Sequence, residues 1–206
     1  MNIRDLFDKH AKQYDAWYDR NLELFKIEVE TLKRLRRKGR ALEIGVGTGR
    51  FAEALHIDIG IDISLKVLHI AKFRGTDVIL ADARYLPFKN EVFEEEYMIF
   101  TICFLKDIDR ALDEAYRTLR KFGRIIIAFI PKESPLGKKY IEEAKKGHIF
   151  YSHANFLNLS EVIDLIRRKG FKIGRVLSSL GPQTCKIIQG YDSRYSFCCI
   201  EGIKNE

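Results

Sequence analysis

Ala41-Leu42-Glu43-Ile44-Gly45-Val46-Gly47-Thr48-Gly49-Arg50-Phe51-Ala52 is the stretch on which the reading of this chain turns. Ala41, Leu42 and Ile44 make a short apolar run, which predicts a buried strand. Phe51, Ala52, Ala54 and Leu55 then recur at helical spacing. Between strand and helix stand Gly45, Gly47 and Gly49, residues that let the backbone take unusual dihedrals and approach a ligand closely. Free N–H groups and the helix dipole at such a turn favour an anionic group. Glu43, at the strand end, sets a carboxylate beside the turn; that suits a cationic ligand group and opposes a polyphosphate. The pattern is therefore a better cradle for an amino acid than for a pyrophosphate. The nicotinamide and flavin fingerprint Gly-x-Gly-x-x-Gly would need glycine where Arg50 stands.

Outward from this turn the chain alternates strand and helix. Ile57-Asp58-Ile59-Gly60-Ile61-Asp62-Ile63-Ser64 predicts a second strand ending at Asp62, with Ser64 capping a helix over Leu65–Phe73. An acid at that strand end can accept both hydrogen bonds of a ribose diol, so Asp62 supports an adenosine cofactor of either kind. Further strands are predicted at 78–81, 93–100, 124–130, 172–180 and 193–203, and helices at 107–119 and 159–169. Two helices over 5–18 and 22–37 precede them all. Such alternation predicts an α/β fold. Glu94-Glu95-Glu96, opening the fourth strand, read as solvent-facing charge.

With 206 residues, one domain spanning 1–206 is expected. No apolar run approaches the ~20 residues that span a bilayer, and Met1-Asn2-Ile3-Arg4-Asp5 lacks the apolar core of a signal peptide. A cytoplasmic protein without membrane attachment is expected. Cys103, Cys185, Cys198 and Cys199 match no zinc spacing, so buried free thiols and no metal are expected. The net charge of +7 raises the question of nucleic acid. The basic runs at 33–38, 117–121 and 167–169 each close a predicted helix before a strand, where cations complement the helix dipole. They read as a solvated rim at the amino edge of the sheet, and no nucleic-acid partner is expected.

Glu43-x-Gly45-x-Gly47-x-Gly49 after a strand resembles the first motif of the class I S-adenosylmethionine (SAM)-dependent methyltransferases. Asp82-Ala83-Arg84-x-Leu86-Pro87-Phe88, followed by Phe93, resembles their adenine motif. Phe7-Asp8-Lys9-x-Ala11-x-x-Tyr14-Asp15-x-Trp17 resembles the amino-terminal segment of the small-molecule, type 11-like members. The resemblance implies a Rossmann-like sandwich: a seven-stranded, mostly parallel sheet with an antiparallel last strand, helices on both faces, and a helical cap over 1–38. It implies SAM as cofactor, with Glu43, Gly45, Gly47 and Gly49 at its methionine moiety, Asp62 at the ribose, and Asp82 with Ala83 at the adenine. Thr101 and Ile102, beyond the fourth strand, would flank the transferable methyl. Tyr14 becomes a cofactor or substrate contact, and Trp17 and Tyr18 weaker ones; plain packing is the alternative for all three.

The chain departs from the family where Glu94-Glu95-Glu96 replace a usual Phe-Asp and where Phe122 stands in the usual Pro-Gly-Gly turn. The looser stretch 131–158 leaves the fifth strand at the ligand edge and reads as a substrate-side insertion, or as a surface one. Within it His148 or His153 is a candidate general base, because imidazole titrates near working pH. No Asn/Asp-Pro-Pro-Tyr/Phe signature follows the fourth strand, so the expected acceptor is a small molecule. Two other classes stay open: a SAM-binding regulatory or partner subunit without turnover, and an NAD-dependent oxidoreductase.

Overall fold

The alternating strands and helices form one twisted sheet, flanked on both faces, in a computed structural model that describes residues 2–183 and 186–205. In chain order the elements are α1 (Ile3–Arg20), α2 (Leu22–Lys33), β1 (Ala41–Ile44), α3 (Arg50–Leu55), β2 (Ile59–Asp62), α4 (Leu65–Phe73), β3 (Asp77–Leu80), β4 (Phe93–Ile99), α5 (Ile108–Thr118), β5 (Leu119–Phe129), α6 (Pro135–Lys145), α7 (Leu159–Arg168), β6 (Phe171–Ser179), β7 (Ile188–Gln189) and β8 (Phe197–Lys204). The spatial order is β3-β2-β1-β4-β5-β8-β6-β7. The first five of these are parallel, and β8 runs antiparallel between β5 and β6.

Alternation along β5 builds the core. Ile125, Ile127 and Phe129 join Leu112 and Ala115 of α5 and Val162 and Ile166 of α7 in one apolar layer. Ile126 and Ala128 join Val29 and Leu32 of α2, Phe51 of α3 and Leu68 of α4 in the other. A strand covered on both faces reads as a continuous apolar run for this reason.

The expected reversed last strand is β8. The expected seven strands become eight among the described residues, because Ile188 and Gln189, in a stretch read as a loop, pair with the edge of β6. The expected turn at 121–123 lies within β5, where Phe122 takes φ +62° and the register against β4 shifts. Residues 135–145, read as part of a loose insertion, form α6. Its start is set by Ser134, whose hydroxyl accepts from the Gly137 N–H at 3.1 Å, and by Pro135 in the first turn.

The reading of Glu94-Glu95-Glu96 as surface charge is corrected. Glu95 and Glu96 are 1% and 0% exposed. Glu95 accepts from the Arg124 Nε at 2.9 Å, the Arg37 N–H at 2.9 Å, the Tyr97 hydroxyl at 3.0 Å and the Arg36 guanidinium. Arg124, also buried, spans from Glu95 to Glu201. Arg36 and Arg37, two cations of the supposed solvated rim, are drawn into this network. Because β4 lies between β1 and β5, its acidic start is enclosed, and enclosed carboxylates need partners. Cys198 and Cys199 are buried free thiols and Cys103 is half-buried; Cys185 lies outside the described residues. No described helix is long and apolar enough to cross a membrane.

Candidate functional site

The chain leaves β1 toward β2 and β3 on one side and reaches β4 and β5 on the other, so the order reverses between β1 and β4. Open α/β sheets bind ligands at the carboxyl ends of strands beside such a switch point. Here a cleft of about 350 Å³ is lined by Gly45 and Gly47 after β1, Asp62 at the end of β2, Asp82 and Ala83 after β3, and Thr101 after β4. Phe7 and Tyr14 of α1 form its cover.

Gly45 has φ +77°, and a Cβ there would stand 2.4 Å from the Thr101 hydroxyl, so no other residue fits between the two strand ends. At Gly47, φ is +54° and a Cβ would stand 3.3 Å from the Tyr14 ring. Gly49 is not on the wall; it closes the contact between α3 and Ala71 of α4. The turn's N–H groups are directed inward. Gly45 donates to Ile61 O at 2.8 Å, Gly49 to Val46 O at 2.9 Å, and Gly47 to Asp62 Oδ2 at 3.0 Å. The turn contributes space more than donors, and the expected anion cradle is not formed by these three groups.

Asp62 is thereby fixed from two sides, its Oδ1 accepting from the Ser64 N–H at 2.9 Å. Burial pushes its carboxyl up to about 6, against the backbone N–H groups of Ser64, Gly47 and Ile63, which hold it down. Glu43 is 1% exposed and stands behind the turn instead of on the cleft wall. Among the described residues its Oε2 has no hydrogen-bond partner, and burial, then the nearby Asp62 charge, pushes it well above the usual carboxylate range. Asp82 is gripped by the Arg84 guanidinium at 2.7 Å, which holds it below that range. Among the described residues, the neighbouring Ala83 N–H has no backbone or side-chain acceptor.

Thr101 reaches the cleft, but Ile102 does not. Ile102 is fully buried and lines a second cavity of about 160 Å³, which lies against the first and shares Tyr14, Phe100 and Phe104 with it. This second space is walled chiefly by aromatic rings: Trp17 and Tyr18 of α1, Tyr140 of α6, and Phe150 and Tyr151 beyond it. Tyr14 joins the two walls, its hydroxyl 3.0 Å from that of Tyr18 and its ring edge-on to Phe7 and Phe150. His148 also lines it, stacked on Tyr151 at 4.0 Å. The His148 Nδ1 accepts from the N–H groups of Phe150 and Tyr151, both at 3.3 Å, so the neutral ring carries its proton on Nε2. In that tautomer Nε2 is a donor, and Nδ1 is engaged by two backbone N–H groups. His153 is exposed and absent from both walls.

Two features escaped the sequence reading. Asp15 joins α1 to the glycine turn: it accepts from the Thr48 hydroxyl at 2.7 Å, Arg50 Nε at 2.9 Å and Arg74 Nη2 at 2.8 Å. The departure from the dinucleotide fingerprint, Arg50, is thus the residue that docks the cap. Seven residues earlier Asp8 accepts from the Ser64 hydroxyl at 2.6 Å, tying α1 to the start of α4 as well. The second feature is Glu28, a carboxyl on the inward face of α2 and in the wall of the second cavity. A polar residue between Ile27 and Val29 was its only trace in the sequence.

The Methyltransferase domain family matches residues 42–127, the stretch from β1 into β5. The uncharacterized protein MJ1123 of Methanocaldococcus jannaschii is 46% identical over 84% of this chain and 82% of its own length. A demethylmenaquinone methyltransferase of Thermotoga maritima is 30% identical over 82% of this chain and 87% of its own. A crystal structure from Thermotoga maritima, described as a "SAM-dependent methyltransferase, possible histamine N-methyltransferase", superposes with a TM-score of 0.92 at 36% identity, covering 98% of this chain and 99% of that one. The cleft at the switch point and these relatives agree: the chain belongs to the SAM-dependent methyltransferases, with SAM as its cofactor.

Proposed function

We propose that the enzyme methylates a small molecule held in the aromatic cavity, with SAM in the adjoining cleft. The observation that carries this reading is the adjacency of the two spaces across Tyr14, Phe100 and Phe104. A cavity of about 160 Å³ under a helical cap suits a compact apolar acceptor and not a polymer.

The cleft's residues fit an adenosyl amino acid. Asp62 keeps lone pairs free beyond its two backbone bonds and would take the ribose diol. Asp82 and the free Ala83 N–H would take the adenine edge, with Arg84 sharing the Asp82 carboxylate. Gly45, Gly47 and Thr101 would leave room for the methionine part, and Glu43, a buried acid behind the turn, would ionise as the ammonium group arrives. Bound SAM supplies a methyl already made electrophilic by its sulfonium, so the protein's own work is alignment and exclusion of water. Tyr14 and Phe7 close over the cleft, and the Asp15 contacts hold α1 in place while they do so. No general base is assigned.

Calorimetric titration with S-adenosylhomocysteine and with NAD, followed by transfer of labelled methyl from SAM to a metabolite panel, tests this. Heat with the first ligand only, and label on a small acceptor, are expected. Binding without transfer to any member would leave a SAM-binding partner protein, and heat with NAD alone would return the dehydrogenase reading.

A further inference from the structure

Glu28 has no part in the cofactor cleft, yet among the described residues it is the one carboxyl in the wall of the aromatic cavity. It is 2% exposed, and its Oε2 meets no hydrogen-bond donor among the described residues. Burying a carboxyl without a partner is costly, and a protein retains such a group where a ligand completes it. No described cation pairs with it; Arg20, the cation in the same wall, is exposed. Around it stand the rings of Tyr18, Tyr140 and Tyr151, the last two stacked with centroids 4.2 Å apart. Aromatic faces about a single acid are the surroundings that recognise a cation attached to an apolar body.

We propose that Glu28 anchors a basic nitrogen of the methyl acceptor, so that the acceptor is a small amine carrying an aromatic or apolar group. This rests on the reading of the aromatic cavity as the acceptor site. Glu28 acts here as a binding and positioning residue. Burial alone pushes its carboxyl up to about 8, so near pH 7 it is a neutral acid before the ligand arrives. The phenols of Tyr18, Tyr140 and Tyr151 and the Cys199 thiol, which feel its charge, are all raised by burial and stay neutral there. His148 lines the same cavity. An ammonium ion entering the cavity ionises Glu28, and a proton leaves for solvent.

The test uses the full chain saturated with S-adenosylhomocysteine, titrated calorimetrically with 2-phenylethylamine, tryptamine and histamine, and with the alcohols of the same shape. At least one amine is expected to bind about tenfold or more tighter than its alcohol. Its binding enthalpy at pH 7 should vary with the ionisation heat of the buffer, reporting proton release. Glu28→Gln should remove about tenfold from amine affinity and abolish the buffer dependence, leaving S-adenosylhomocysteine affinity unchanged. Amines binding no better than alcohols, no amine binding, or no proton release would overturn the proposal; so would a Glu28→Gln protein that binds the amine as before. The wild-type comparison and the proton count stand without the variant should it fail to fold. Failure of the wild type to bind S-adenosylhomocysteine would strike instead at the assignment of the cleft.

Discussion

At the scale of single residues, Asp62 carries the clearest expectation. Asp62→Ala should weaken S-adenosylhomocysteine binding more than tenfold, about 1.4 kcal/mol or more, through lost charge-assisted bonds. An unchanged Kd in a folded variant would remove Asp62 from the site. Its pH dependence has a definite sign. Burial pushes the carboxyl up to about 6, and ligand hydroxyls favour the ionised form, so affinity should be flat above pH 7 and fall as pH drops through about 6. Asp62→Asn should be weak and flat across that window. Asp62 was legible because a strand alternates, which fixes the direction of its last side chain. Ile102 was misplaced for an equally local reason. Phe100 turns the chain with φ +55°, and residues 102–104 then coil as a 3₁₀ turn, which sends Thr101 and Ile102 to different cavities. Nothing in adjacent letters announces that corner.

At the scale of elements, the docking of α1 decides whether the cleft has a cover. Asp15 holds Thr48, Arg50 and Arg74 together, and these contacts outweigh burial to keep its carboxyl well below the usual range. Asp15→Ala should lower stability by about 1–3 kcal/mol, since it takes the shared carboxylate from two half-buried guanidinium groups and leaves Arg50 to Asp19 and Arg74 to Glu53 and the Thr48 carbonyl. It should also weaken S-adenosylhomocysteine binding as the cap loosens. Denaturant melts and calorimetry on one preparation check both; unchanged cofactor affinity would separate the cap from the cleft. The amphipathic spacing of α1 and the family-like aromatics were readable, whereas the pairing of Asp15 with Arg50 and Arg74 was not. Those contacts span 35 and 59 residues of chain. The helix α6 was missed because capping by Ser134 and Pro135, not apolar period, defines its start.

Across the whole molecule, the two ends of the sheet do different work. The amino edge holds the Arg36–Glu95–Arg124–Glu201 network, and the carboxyl edge holds the cavities. Removing one partner from a buried network strands the others, so Glu95→Gln should cost about 3 kcal/mol of stability. Cofactor affinity should stay within about twofold, because the mutated edge is remote from the cleft. A large loss of affinity without loss of stability would contradict this division. Glu28 gives the fold a second, pH-dependent signature. Its carboxyl rises from 4.5 to about 8 on folding, so its contribution is full below pH 4.5 and is lost as pH rises through about 8. The advantage of Glu28→Gln over wild type in urea melts should therefore grow between those limits, by at most about 1.4 kcal/mol per pH unit.

The strands and helices apart from α6 and β7, the glycine turn, the acids at the ends of the second and third strands and the reversed last strand were all determined by the sequence. Each depends on local periodicity, on φ preference or on a motif whose parts are close in the chain. Only the tertiary structure decided which charges are buried and which cavity each side chain enters. Glu95 and Glu28 look like any other glutamates among 32% charged residues, and only enclosure by distant elements turns one into a structural anchor and leaves the other without a partner among the described residues. Burial is a property of the packed whole, and the cost of desolvating a carboxyl does not exist until the chain has closed around it.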